Sequence, residues 1–148
     1  MPAGARPSQP LRLLAQDADD LTVLSAAVQD AVVRVGDIRF EPARRTLTLV
    51  VNRYRWESAV AGGQRVRSVL QFGGVLGVRS RNLRRDAEDA IISVLSLGFL
   101  PGVPPGGALS IVLAGGGDLQ AELECIDAAL SDVSDSWPAR AEPKHEDL

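Results

Sequence analysis

The chain has 148 residues, of which 45% are apolar, and its formal net charge is −3. That is the size of one domain with enough apolar surface for a single core. One cysteine, Cys125, excludes an intramolecular disulfide, and a catalytic triad or zinc site would have to recruit the only histidine, His145, from a polar C-terminal stretch.

Residues 1–10, "MPAGARPSQP", carry prolines where a signal peptide needs an apolar centre, and no run approaches the roughly 20 apolar residues of a membrane span. A cytoplasmic protein without a membrane anchor is therefore expected. The first clear element is a helix: Asp17 can cap it, Asp19 and Asp20 suit the positive end of its dipole, and Leu21, Leu24, Val28 and Ala31 form an apolar stripe. Next come "QDAVVRVGDIRFEP" (residues 29–42), the alternating strand "TLTLVV", and a second alternating strand through Val66, Ser68, Leu70 and Phe72. "SRNLRRDAED" is expected to add a short helical turn.

The same series then recurs. "EDAIISVLSLGFLP" (residues 88–101) can be laid on residues 29–42, matching Asp30 with Asp89, Ala31 with Ala90, Val35 with Val94, Phe40 with Phe99 and Pro42 with Pro101. It is followed by "ALSIVL" and by an alternation through Leu119, Ala121, Leu123 and Cys125. The glycines of "LAGGGDLQ" lie between two alternating strands and lack the helix and lysine that a phosphate loop requires, so they read as a hairpin turn. After Cys125 the parity slips, and Ile126, Ala128 and Leu130 fit either a strand beyond a bulge or a helical turn. The expected fold is α+β: an antiparallel sheet of six or more strands built from a duplicated three-strand meander, with one main N-terminal helix, able to curl toward a barrel. Residues 11–137 are expected to form one domain with halves at about 29–80 and 88–133, between a disordered tail at 1–10 and a flexible tail at 138–148.

One hairpin breaks the parallel. Val51 to Val66 spans fifteen positions and Leu113 to Leu119 spans six, so the first hairpin is longer by nine. The lengthened hairpin runs through "RYRWESAVAGGQR" and carries Arg53, Tyr54, Arg55 and Trp56. An unbroken strand would aim Arg53 and Arg55 into the core and Tyr54 and Trp56 at solvent, so either a bulge resets the phase and Trp56 closes the core, or the aromatics and guanidiniums form an arm that meets a partner.

Charge points to the same region. Residues 34–85 hold twelve arginines against three acids, whereas residues 86–148 hold two bases against twelve acids. The candidate partner-binding set is Arg53, Tyr54, Arg55, Trp56, Arg65, Arg67, Arg79, Arg81, Arg84 and Arg85. The arginines can cover a solvated face, complement the acidic half within or between molecules, or bind RNA through phosphates with Tyr54 and Trp56 stacked on bases. No catalytic, cofactor or metal residues are assigned: Glu122, Glu124, Asp127 and Asp132 read as outward strand residues, and Cys125 as a small core residue. The leading reading is a non-catalytic module that docks on a protein or self-associates. RNA binding comes second and an enzyme third.

In their order, "LRLLAQDADDLTVLSAAVQDAVVRVGDIRF", "NRYRWE", "LQFGGVLGVRSRNL" and "LAGGGDLQAELECIDAALSD" followed by Trp137 make the chain, from about Leu11 to His145, similar to a family of small proteobacterial proteins known as a domain of unknown function. The resemblance implies a cytosolic bacterial protein whose relatives often lie near genes for cell-wall precursor and histidine synthesis. It carries over no catalytic residue.

Overall fold

The computed structural model describes residues 10–57 and 63–139. After a short strand, β1 (Arg12–Ala15), comes α1 (Ala18–Ala27), which starts where extended Asp17 accepts the Asp20 amide at 2.8 Å, beside Asp19 and Asp20. Its Leu21 and Leu24, with the following Val28, are buried in the core.

The chain then builds β2 (Val32–Glu41), a 3-10 turn at Pro42–Arg44, β3 (Thr46–Tyr54) and β4 (Gln64–Phe72) as one meander. β5 (Val75–Arg81) follows directly. A second meander comprises β6 (Ile91–Pro101), β7 (Gly107–Leu113) and β8 (Asp118–Leu123), and β9 (Ala128–Asp132) follows it. A short β10 (Trp137–Pro138) pairs with β4, so pairing continues into the expected C-terminal tail. Residues 1–9 and 140–148, where the remainder of the two expected tails falls, lie outside the described residues.

The ten strands of the described residues share one antiparallel sheet, ordered β1-β9-β4-β3-β2-β6-β7-β8-β5, with β10 on β4. The two meanders meet where Val33 pairs with Ile92, flanked by Val32 with Ser93 and Arg34 with Ile91. Beyond these pairs each central strand shifts register, β2 between Val33 and Ile38 and β6 between Val94 and Ser96, and the two part. At the other side Gly73 N donates to Asp127 O at 2.8 Å and Glu124 N to Gly74 O at 2.9 Å, carrying the pairing from β4·β9 round to β5·β8. Gly74 takes φ +64° at this corner, which a side chain would resist. The sheet therefore curls strongly around its core. It is not a closed barrel.

With one α-helix against ten strands among the described residues, the fold is largely sheet and fits the α+β expectation loosely. Inward residues of β3, β4, β7 and β8 fill the interior, including Leu47, Leu49, Leu70, Phe72, Leu109, Ile111 and Leu119. The triple-glycine segment is a hairpin turn, with Gly115 and Gly116 at φ 88° and 86°. Two local expectations are corrected. Residues 82–90 form turns and no helix, because the segment spends its backbone bonds on β2: Val35 N donates to Ala90 O and Gly36 N to Glu88 O. Cys125 is only half-buried, because the parity slip gives its inward place to Ile126; the chain then resumes as a strand, β9.

Candidate functional site

The overgrown hairpin is where charge and burial conflict. β3 pairs with β4 without interruption from Leu47 with Phe72 to Tyr54 with Arg65, so no bulge resets the phase. The inward parity of Leu47, Leu49 and Val51 passes to Arg53, which is 0% exposed. A guanidinium so placed needs every donor answered. Arg53 Nε donates to Asp132 Oδ1 at 3.0 Å and to Ser68 Oγ at 3.2 Å. Nη2 donates to Asp132 Oδ2 at 2.9 Å and Glu57 Oε2 at 2.8 Å, and Nη1 to Glu57 Oε1 at 2.9 Å. Two bidentate carboxylates thus clasp one buried cation.

Asp132, expected to face outward, has a side chain only 1% exposed. It also accepts Ser68 Oγ at 2.7 Å and the Leu11 amide at 2.7 Å, tying β9 to β4 and to the chain before β1. Burial alone would raise both acids, but the hydrogen bonds from Arg53 outweigh it: Asp132 lies below its ordinary range and Glu57 is lowered to about 2. For Arg53 burial would lower the pKa, and the bonds to Glu57 and Asp132 raise it instead.

The neighbouring residues are also enclosed. Arg55 is buried, with Nε on Glu57 Oε2 at 3.1 Å and Nη1 on Ser136 Oγ at 2.7 Å. Tyr54, at 7% exposure, meets Trp56 edge-on at 4.6 Å between centroids and has the Arg65 guanidinium 6.0 Å from its ring centre. Trp56 is the exception: it is 36% exposed, and it donates Nε1 to Gln29 O at 3.3 Å. The exposed arm is therefore corrected for three of its four residues. Arg53 and Arg55 are internal because Asp132, Glu57 and Ser136 answer their guanidiniums, and Tyr54 is buried against Trp56, which itself stays exposed. Residues 58–62 of the hairpin lie outside the described residues.

The other arginines are at the surface. Arg65 is half-buried and Arg67 exposed on β4; Arg79 and Arg81 lie on β5, and Arg84 and Arg85 just after it. Arg81 Nη2 reaches Asp118 Oδ2 at 2.7 Å, Arg79 Nη2 reaches Gln120 Oε1 at 3.4 Å, and Arg84 approaches Asp86 at 3.8 Å.

Beside β5 opens a cleft of about 430 Å³. Ile38 and Phe40 of β2, Val78 of β5, Leu119 of β8 and Leu83 supply its apolar wall, and exposed Arg39, Arg85 and Glu88 complete it. It exists because β2 and β6 part after Arg34 while β5 turns away from β3 at the glycine corner. Its size and mixed lining suit a small apolar group bearing charge. Among the described residues, neither Arg39 nor Arg85 forms an ion pair.

The backbone adds two open edges. Arg55 N donates to Gln64 O, so by alternation Leu47 and Leu49 turn their amides to β4, and their β2 partners Phe40 and Ile38 turn theirs away from β3. Leu113 N donates to Gly117 O, so Asp118 and Gln120 face β5, and Val78 and Ser80 turn their amides away from β8. Of the cleft residues, only Arg85 was expected from the sequence to bind a partner; Val35, Phe40 and Leu119 stood out there as strand residues.

Among the described residues no three His, Cys, Asp or Glu side chains are grouped as metal ligands, and no helix is long and apolar enough to cross a membrane. No curated protein and no solved structure matches the chain. A family model, described as protein of unknown function (DUF2948), matches residues 11–145. The chain belongs to that family.

Proposed function

We propose that the chain is a non-catalytic binding module whose site is the cleft between β2 and β5. The observation that carries this reading is the pairing of an apolar wall, through Phe40, Val78 and Leu83, with the exposed arginines Arg39 and Arg85. Such a surface retains a ligand by burying apolar area and selects it by charge. The arginines at 79, 81, 84 and 85 stay in this reading, with Arg53, Tyr54 and Arg55 serving the fold. Tyr54 is buried, which leaves Trp56 as the one exposed ring of the pair and takes away half of the expected stacking platform, so RNA binding stays behind. We place the module in the cytosol on composition, and its bacterial origin on the family resemblance alone.

The reading includes a common origin for the two meanders. Three features support it: the register about Val33 and Ile92, the placing of β5 on β8 and of β9 on β4, and the matched bonds Val35 N to Ala90 O and Val94 N to Ala31 O.

The test uses anilinonaphthalene sulfonate, an apolar anion, followed by fluorescence on the full chain. One saturable site is expected. Leu83→Glu should weaken it by roughly tenfold or more, the loss of one buried leucine contact. Arg85→Ala should weaken it less, and Arg67→Ala should leave it unchanged. Binding unaffected by Leu83→Glu, in a variant shown to fold by circular dichroism, would remove the cleft from consideration.

A further inference from the structure

We infer that the cleft and the free edge of β5 together receive an extended acidic segment of a partner protein, apolar at alternate residues, which adds to β5 as an antiparallel strand. This rests on the cleft's being the binding site. The argument comes from what fills the equivalent place in the other half of the molecule.

There, β9 occupies on β4 the position that β5 occupies on β8. β9 is not an edge: β1 pairs along it, antiparallel, from Arg12 with Ser131 to Ala15 with Ala128. α1 then packs on β6, and Ser25 Oγ accepts the amide of Leu97, which β6 turns away from β7, at 2.9 Å. Ile38 is the matching residue of β2, and its amide, turned away from β3, opens on the cleft. The segment before β6, residues 82–90, supplies neither strand nor helix to match β1 and α1. One half thus brings its own strand and cover, and the other leaves an edge and a cavity in the corresponding place.

Charge chooses the occupant. On β5, Val78 faces the core side, while Arg79 and Arg81 lie exposed on the other face. A strand laid beside β5 would set alternate residues opposite Val78, with their side chains in the cleft, and the residues between them beside Arg79 and Arg81. Apolar residues suit the first set and acids the second. A second copy of the chain, pairing β5 with β5, would bring Arg79 and Arg81 against their own kind, which opposes it. Strand addition of this type draws affinity from main-chain bonds and selectivity from alternate side chains.

The probe is a fluorescein-labelled eight-residue peptide alternating leucine with glutamate, followed by fluorescence anisotropy against the full chain. Binding should fall at least tenfold when every leucine is N-methylated, because the leucines opposite Val78 direct their amides at β5. Ser80→Pro should act similarly: it removes an outward N–H and leaves the β5·β8 bonds of Arg79 and Arg81 in place. Ser80→Ala should bind as the parent does. A peptide with lysine for glutamate should bind at least tenfold more weakly. Equal binding of the N-methylated or the lysine peptide overturns the inference. If Ser80→Pro fails to fold, the N-methylated peptide on the unaltered protein decides. Sulfonate dye bound in the cleft with no peptide bound sinks strand addition and spares the cleft, whereas failure of both removes both readings.

Discussion

Asp132→Ala should destabilise the protein by about 3–5 kcal/mol, the cost of leaving a buried charge without its partner. Asp132 is the more enclosed of the two acids on Arg53, and its removal also frees Ser68 Oγ and the Leu11 amide. Glu57 holds the guanidinium from a half-exposed position and cannot take over that side. Arg53→Met should cost less, because Asp132 keeps Ser68 and Leu11 as donors, and adding Asp132→Leu to Arg53→Met should recover part of the loss. Urea unfolding of the three variants checks this order.

The same carboxylates set the response to acid. Both are depressed in the folded state, so each contributes stability that is fully present above its unfolded pKa and is lost as pH falls through the folded one. For Glu57 that window runs from 4.5 down to about 2. The difference between the parent and Asp132→Ala should therefore be full at neutral pH and shrink on acidification. A constant difference down to pH ~2 would show that Asp132 acts through shape and not charge.

Phe72→Ala should cost about 3–5 kcal/mol, at the upper end for a buried aromatic. Phe72 is fully buried at the last position of β4, paired across to Leu47 on one side and Ala128 on the other. The chain turns through Gly73 and Gly74 immediately afterwards. The glycine corner joins the β4·β9 ladder to the β5·β8 ladder, so the void opens where both depend on one side chain. A lower urea midpoint with an unchanged slope is expected. A loss below about 1 kcal/mol would mean that the corner collapses to fill the space.

Much of the fold was legible because it rests on short-range rules. Asp17 and the acids after it marked the helix start, period-two alternation marked the meanders, and the glycines at 115 and 116 marked a hairpin. The site was harder to read. Arg53 and Arg55 fell on the inward parity, and that parity was correct; what the sequence could not supply was the partner for a buried guanidinium. Asp132 lies 79 positions from Arg53 and looked like an outward strand residue. The cleft had no local mark at all, since Ile38, Phe40, Val78 and Leu83 read as ordinary strand and turn residues. Its one trace was an asymmetry: a clear helix precedes the first meander and nothing comparable precedes the second.

Amide chemical shifts of the full chain, recorded while the leucine–glutamate peptide is added, test most directly where a partner engages this protein. The expected result is movement at Ile38, Phe40, Val78 and Ser80, with slowed hydrogen exchange at Val78 and Ser80 and none of either at Arg53 or Arg55. Shifts centred on the Arg53 hairpin, with the β5 edge silent, would contradict it.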